Sequence, residues 1–103
     1  MKLRRRFADL IARQLDVFAV DEAPLLVEVR EAEQKYNRAD RDEAEEKYGD
    51  YVDVVETATE ALADMRDRFK RTLDDDAAEE YEEAFNRAVK RRWPPFGLEI
   101  ENR

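Results

Sequence analysis

The chain has 103 residues, carries charge on 45% of them and has a formal net charge of −8 at pH 7. It contains no histidine, cysteine or serine, which excludes disulfides, thiolate metal sites and the usual nucleophiles of covalent catalysis. An acidic surface repels phosphate groups, so this charge disfavours nucleic acid and anionic membranes as general partners. Only two glycines and three prolines supply turns. These counts predict one all-helical domain over residues 1–103, with a few long elements and no sheet.

The sequence shows neither a transmembrane segment nor a cofactor motif. No apolar run approaches the ~20 residues that a membrane-spanning helix needs. The basic start of the chain lacks the continuous apolar segment of a secretory signal, so we expect a cytoplasmic protein. No glycine-rich phosphate loop and no convincing internal repeat is present. We therefore predict no cofactor and no enzymatic activity.

The first predicted helix covers residues 3–19 and is amphipathic. Its apolar positions recur at helical spacing on one face: Leu3, Phe7, Leu10, Ile11, Leu15 and Phe18. Most of these apolar residues are preceded in the sequence by three basic ones, Arg4, Arg5 and Arg6, which allow two interpretations. They are either solvated residues of a core helix or a basic arm for phosphate groups. We favour a core helix, because the remaining polar face carries few basic residues.

The second predicted helix covers residues 22–38, with Asp21 as its N-cap and Pro24 in its first turn. One apolar face contains Leu25, Val29, Ala32 and Tyr36. The glutamates of this helix point in different directions around it, so we interpret them as solvated residues and not as metal ligands.

The segment between Tyr36 and Ala44 contains no glycine or proline that would mark a turn. Asp40 and Glu43 have the spacing of a capping box, and the apolar register changes across the segment. Both observations favour a hairpin turn. The alternative is a continuous helix, which would place a carboxylate in the apolar seam.

The third predicted helix, residues 40–73, contains the most regular apolar pattern of the chain. Spacings of four and three, typical of a coiled-coil seam, connect Ala44, Tyr48, Tyr51, Val55, Ala58, Leu62, Met65, Phe69 and Thr72. Gly49 inside this helix costs ~1 kcal/mol relative to alanine, and a break there is the alternative. The seam keeps its phase from Tyr48 to Tyr51, which favours an unbroken helix.

The fourth predicted helix covers residues 77–92, with Asp76 and Glu79 at capping-box spacing and Lys90, Arg91 and Arg92 at its end. Three consecutive aspartates precede it, but they lack the alternating ligands and the glycine of a calcium loop, so we predict no metal site.

Pro94 and Pro95 end the fourth helix, and we expect residues 93–103 to form an extended tail. The tail either folds back onto the protein or serves as a ligand for a protein partner. We favour folding back, because its apolar load is large for a solvent-exposed segment. That load consists of Trp93, Phe96, Leu98 and Ile100.

The expected lengths of the four helices predict self-association. A third helix of ~34 residues is ~50 Å long, whereas the other helices, at ~16 residues and ~25 Å each, cover only about half of it. The uncovered seam predicts a homodimer, and hence a non-enzymatic interaction or scaffold module. The candidate interaction residues are Tyr48, Tyr51, Val55, Leu62, Met65, Phe69, Trp93 and Phe96. The alternative is a peripheral protein whose basic ends, Arg4 to Arg6 and Lys90 to Arg92, contact phosphates of nucleic acid or membrane.

Overall fold

The computed structural model describes residues 6–103, which form five α-helices and no strand. The helices are α1 (Ala8–Asp21), α2 (Ala23–Arg38), α3 (Ala44–Lys70), α4 (Asp75–Arg92) and α5 (Gly97–Glu101). The predicted all-helical bundle with a long central helix is therefore confirmed, although α3 has 27 residues and spans ~40 Å. The part of the first predicted helix at residues 3–5 lies outside the described range. Within that range, no helix has the length and apolar character needed to cross a membrane.

A turn separates α2 from α3, so the predicted hairpin is confirmed and the continuous helix is wrong. Ala39 follows α2 in an extended conformation, and the Glu43 N–H donates to the Asp40 carbonyl over 2.9 Å. The predicted capping box is wrong, because α3 begins at Ala44 and no side chain caps it. Asp21 likewise does not cap α2, since Glu22 occupies that position without a side-chain hydrogen bond.

The cap of α4 lies two residues before the predicted one. Asp74 adopts an extended backbone, and its Oδ1 accepts a hydrogen bond from the Ala77 N–H over 3.0 Å. Asp76 is therefore the second residue of α4 and not its cap. The carboxylates of this first turn still stabilise the N-terminal end of the helix dipole.

The tail folds back, as predicted, but it is helical and not extended. Trp93 ends α4, Pro94–Phe96 form a single 3-10 turn, and α5 follows. Phe96 and Ile100 are almost completely buried. Gly97 permits this close return, because a Cβ atom there would lie 2.9 Å from Lys90 Cγ.

The core lies around the C-terminal half of α3, which contacts α4 and α5. Tyr81 occupies the middle of the core, with its ring 5.4 Å from the Phe7 ring and 4.8 Å from the Phe69 ring. The Tyr81 hydroxyl donates to Gln14 Oε1 over 2.8 Å, and burial raises its pKa to about 12. The N-terminal half of α3 pairs with α2, so the elongated molecule, 50 × 24 × 23 Å, has a thick end and a two-helix end.

Gly49 lies inside the unbroken α3, so the alternative of a break there is wrong. A Cβ atom at this position would have no heavy atom within 4 Å. Gly49→Ala should therefore stabilise the fold by up to ~1 kcal/mol, because alanine loses less backbone entropy in a helix. Urea unfolding would measure the gain. Gly97→Ala is the control and should give no gain, since its methyl group would press on Lys90; an unchanged Gly49→Ala midpoint would contradict the expectation.

Candidate protein-interaction surface

Three of the predicted interaction residues belong to the core of the chain. Val55, Leu62 and Phe96 are 6%, 0% and 1% exposed. Their side chains pack against other residues of the same chain and offer no surface to a partner.

Met65, Phe69 and Trp93 are half-buried and pack against the core. Met65 and Phe69 line a groove of about 660 Å³ between α1 and α3. The Trp93 ring lies 5.6 Å from the Phe18 ring, and the Arg92 guanidinium lies 4.9 Å from the Trp93 ring. These contacts dock the start of the tail on the protein.

Tyr48 and Tyr51 join Tyr36 of α2 in what we call the tyrosine cluster. The Tyr36 ring lies 5.2 Å from the Tyr48 ring and 6.5 Å from the Tyr51 ring, with the latter pair nearly parallel. Tyr36 and Tyr48 are 37% and 51% exposed. Burial raises the pKa of Tyr51, and the negative charge of the neighbouring Glu33 raises it further. The cluster thus presents aromatic surface to solvent.

The tyrosine cluster lies on the thinnest part of the molecule. Val29 is the one buried residue of α2, and none of residues 44–54 of α3 is buried. Two helices alone cannot enclose the apolar faces that they turn toward each other, so the edges of those faces remain in contact with water.

Arg66 is a buried charged residue that the sequence pattern did not identify. It is 1% exposed, and its Nη1 donates to Asn86 Oδ1 over 2.9 Å and to the Ile100 carbonyl over 3.0 Å. Its Nε donates to Asp67 Oδ1 over 2.9 Å. The available signal was its position four residues after Leu62, which lies on the same helix face. These bonds connect α3, α4 and α5, so the residue is structural.

The carboxylates show no convergence that suits a metal. Across residues 6–103, no group of three or more acidic side chains is arranged to hold an ion. Asp74, Asp75 and Asp76 line a shallow groove together with Arg6, which supplies positive charge there. Their negative charges lie at the N-terminal end of α4, where they stabilise the helix dipole.

The basic ends of the chain are separated and partly occupied by intramolecular contacts. The Arg6 guanidinium lies 5.2 Å from the Phe7 ring, and Arg92 Nη1 lies 2.7 Å from Asp16 Oδ1. Arg6 is close to the start of α4, whereas Lys90 to Arg92 form its end, roughly 25 Å away. Arg4 and Arg5 lie outside the described residues. Among residues 6–103, no single basic face connects Arg6 with Lys90 to Arg92.

No protein-family model matches the chain, and no curated protein or solved structure is significantly similar to it.

Proposed function

We propose that this protein is a non-enzymatic helical interaction module that forms a homodimer through the α2–α3 hairpin. The observation that carries the proposal is the exposed tyrosine cluster on the two-helix end of the molecule. Tyrosine is enriched at protein interfaces, because it buries a large ring at low entropy cost and keeps a hydroxyl for hydrogen bonding.

A second copy of the hairpin can cover the edges of the apolar faces that the first copy leaves in contact with water. Two hairpins that pack face to face form a four-helix bundle, in which the half-exposed edges of each apolar seam become buried. A two-fold axis through the cluster would place Tyr48 of each copy near the aromatic rings of the other. The absence of histidine, cysteine and serine from the sequence excludes catalysis by those three residue types, which favours a non-enzymatic role.

The dimer is tested by the mass in solution at micromolar concentration. We expect the wild-type chain to be a dimer and Tyr48→Arg to be a monomer, because the substitution places an unpaired charge in the interface. Removing a central contact worth ~2 kcal/mol raises the dissociation constant about 30-fold. Sedimentation equilibrium over a range of concentrations would measure it.

Val27→Arg is the matched control for this test. Val27 is 44% exposed and lies about two and a half helical turns before Tyr36, on the outer face of α2. The control adds the same charge to the same hairpin and should leave the dimer intact. A monomeric wild-type chain, or a Tyr48→Arg chain with the wild-type mass, would contradict the proposal.

A further inference from the structure

A groove between α1 and α4 is separate from the α2–α3 hairpin. It is lined by small apolar residues and by charged residues of both signs. It encloses about 680 Å³ and follows the outer side of both helices. Ile11 forms its buried floor, and small residues form its walls. On α1 these are the exposed Ala8 and Ala12, and on α4 the half-buried Ala84 and Ala88. Alanine walls let the backbone of another helix approach closely.

The charges along the α4 side of the groove are divided by sign. Glu80 and Glu83 lie toward the start of α4, whereas Arg87 and Arg91 lie toward its end. The ion pairs formed within residues 6–103 include neither of these two arginines. The groove therefore has an acidic end and a basic end.

The order of charges along α4 is complementary to that of a second α4 helix that runs in the opposite direction. Glu80 and Arg91 are equally far from the midpoint of the pattern, which lies between Phe85 and Asn86. In an antiparallel pair of α4 helices, Glu80 of each copy faces Arg91 of the other copy. Within one copy, Glu80 and Arg91 lie about 16 Å apart along the helix axis. Glu83 then faces Ala88, between the two arginines of the opposite copy. Like charges are kept apart in this arrangement, whereas a parallel pair would place them together.

We infer that the α1–α4 groove binds the α4 helix of a second copy of this chain, antiparallel and about a two-fold axis. The arrangement is a closed, self-complementary contact. Alanine side chains bury little apolar area, so we expect a weak association, with a dissociation constant on the order of 100 μM. The inference does not depend on the tyrosine cluster, which lies on other helices. A chain with both interfaces would assemble beyond the dimer at high concentration.

Charge reversal tests the groove most directly. The variants are made in the Tyr48→Arg background and compared with that parent at several times the expected ~100 μM dissociation constant. Glu80→Lys with Glu83→Lys makes the groove wholly basic, and Arg87→Glu with Arg91→Glu makes it wholly acidic. Each variant should be monomeric by itself, because its charges repel those of an identical copy.

Mixing the two variants in equal amounts should restore a dimer, now a heterodimer, with an affinity at least equal to that of the parent. Circular dichroism of each variant alone would show that the helices are intact. Glu60→Lys with Glu101→Lys is the control for the wholly basic variant: both residues are exposed and outside the groove, so the same change in net charge should leave the parent mass unchanged.

The mixing experiment overturns the inference if the two variants stay monomeric together, or if either alone retains the association of the parent. It is independent of the hairpin dimer, because every comparison is with the parent. If Tyr48→Arg proves not to disrupt the hairpin dimer, the groove variants should still shift the mass from a larger assembly to that dimer.

Discussion

Truncation of the chain after Arg92 should lower the melting temperature by at least ~20 °C. The truncation removes Phe96 and Ile100, which are 1% and 0% exposed. Loss of one such side chain alone typically costs ~2 to 5 kcal/mol, and the total stability of a small domain is only ~5 to 15 kcal/mol. Each lost kcal/mol lowers the melting temperature of a chain of this size by roughly 4 to 8 °C. Thermal melting followed by far-ultraviolet circular dichroism would measure the effect.

The truncation has a second effect, on Arg66. Its Nη1 loses the Ile100 carbonyl as an acceptor, and water enters the space that α5 occupied. Truncation after Ile100 is the control, since residues 101–103 are exposed and should change the melting temperature by only a few degrees. Equal melting temperatures for the full chain and the chain that ends at Arg92 would contradict the docked tail.

The long helices could be predicted from the sequence, because each carries several repeats of an apolar period. Their caps could not. In a chain with 27 aspartates and glutamates among 103 residues, acids three positions apart occur often by composition alone. Asp40 and Glu43 therefore had the spacing of a capping box without its hydrogen bonds. Asp74 was the actual cap of α4 because its backbone is extended, which the run of three aspartates does not reveal.

The short helix α5 could not be predicted for a different reason. Five residues are too few to form a stable helix in isolation. Its stability comes from the burial of Phe96 and Ile100 against α3 and α4, which are distant in sequence. The sequence indicated that the tail carries apolar residues that favour docking, but not the conformation in which they dock.

Of the residues that the seam of α3 contributed to the candidate site, Tyr48 is 51% exposed and Tyr51 is half-buried in the hairpin. The same seam included Leu62, because periodicity cannot distinguish a residue covered by the chain itself from one left for a partner. Coverage depends on where α1 lies, and α1 packs against α4 at the thick end of the molecule. Tertiary contacts, such as that between the Phe7 and Tyr81 rings, determine this position of α1.

Arg66→Ala should destabilise the fold by ~3 to 5 kcal/mol, an effect comparable to the loss of a large core residue. The substitution leaves a cavity at a site that is 1% exposed. It also leaves Asn86 Oδ1 without its donor, whereas the Ile100 carbonyl keeps only the more distant Arg103 N–H, at 3.3 Å. A polar group that loses its partner in the interior costs ~1 to 3 kcal/mol. Urea unfolding, read as the change in the midpoint, would measure the loss.

Two further variants separate the cavity from the lost hydrogen bonds. Arg66→Met keeps most of the side-chain volume, so it should destabilise the fold by at least ~1 kcal/mol less than Arg66→Ala. Adding Asn86→Leu to Arg66→Met removes the unpartnered amide as well, and replacing a buried polar pair by apolar groups of similar size is often nearly neutral. The expected order of stability is therefore wild type and double variant first, then Arg66→Met, then Arg66→Ala. If Arg66→Ala loses less than ~1 kcal/mol, the guanidinium does not hold α3, α4 and α5 together in the way that its hydrogen bonds indicate.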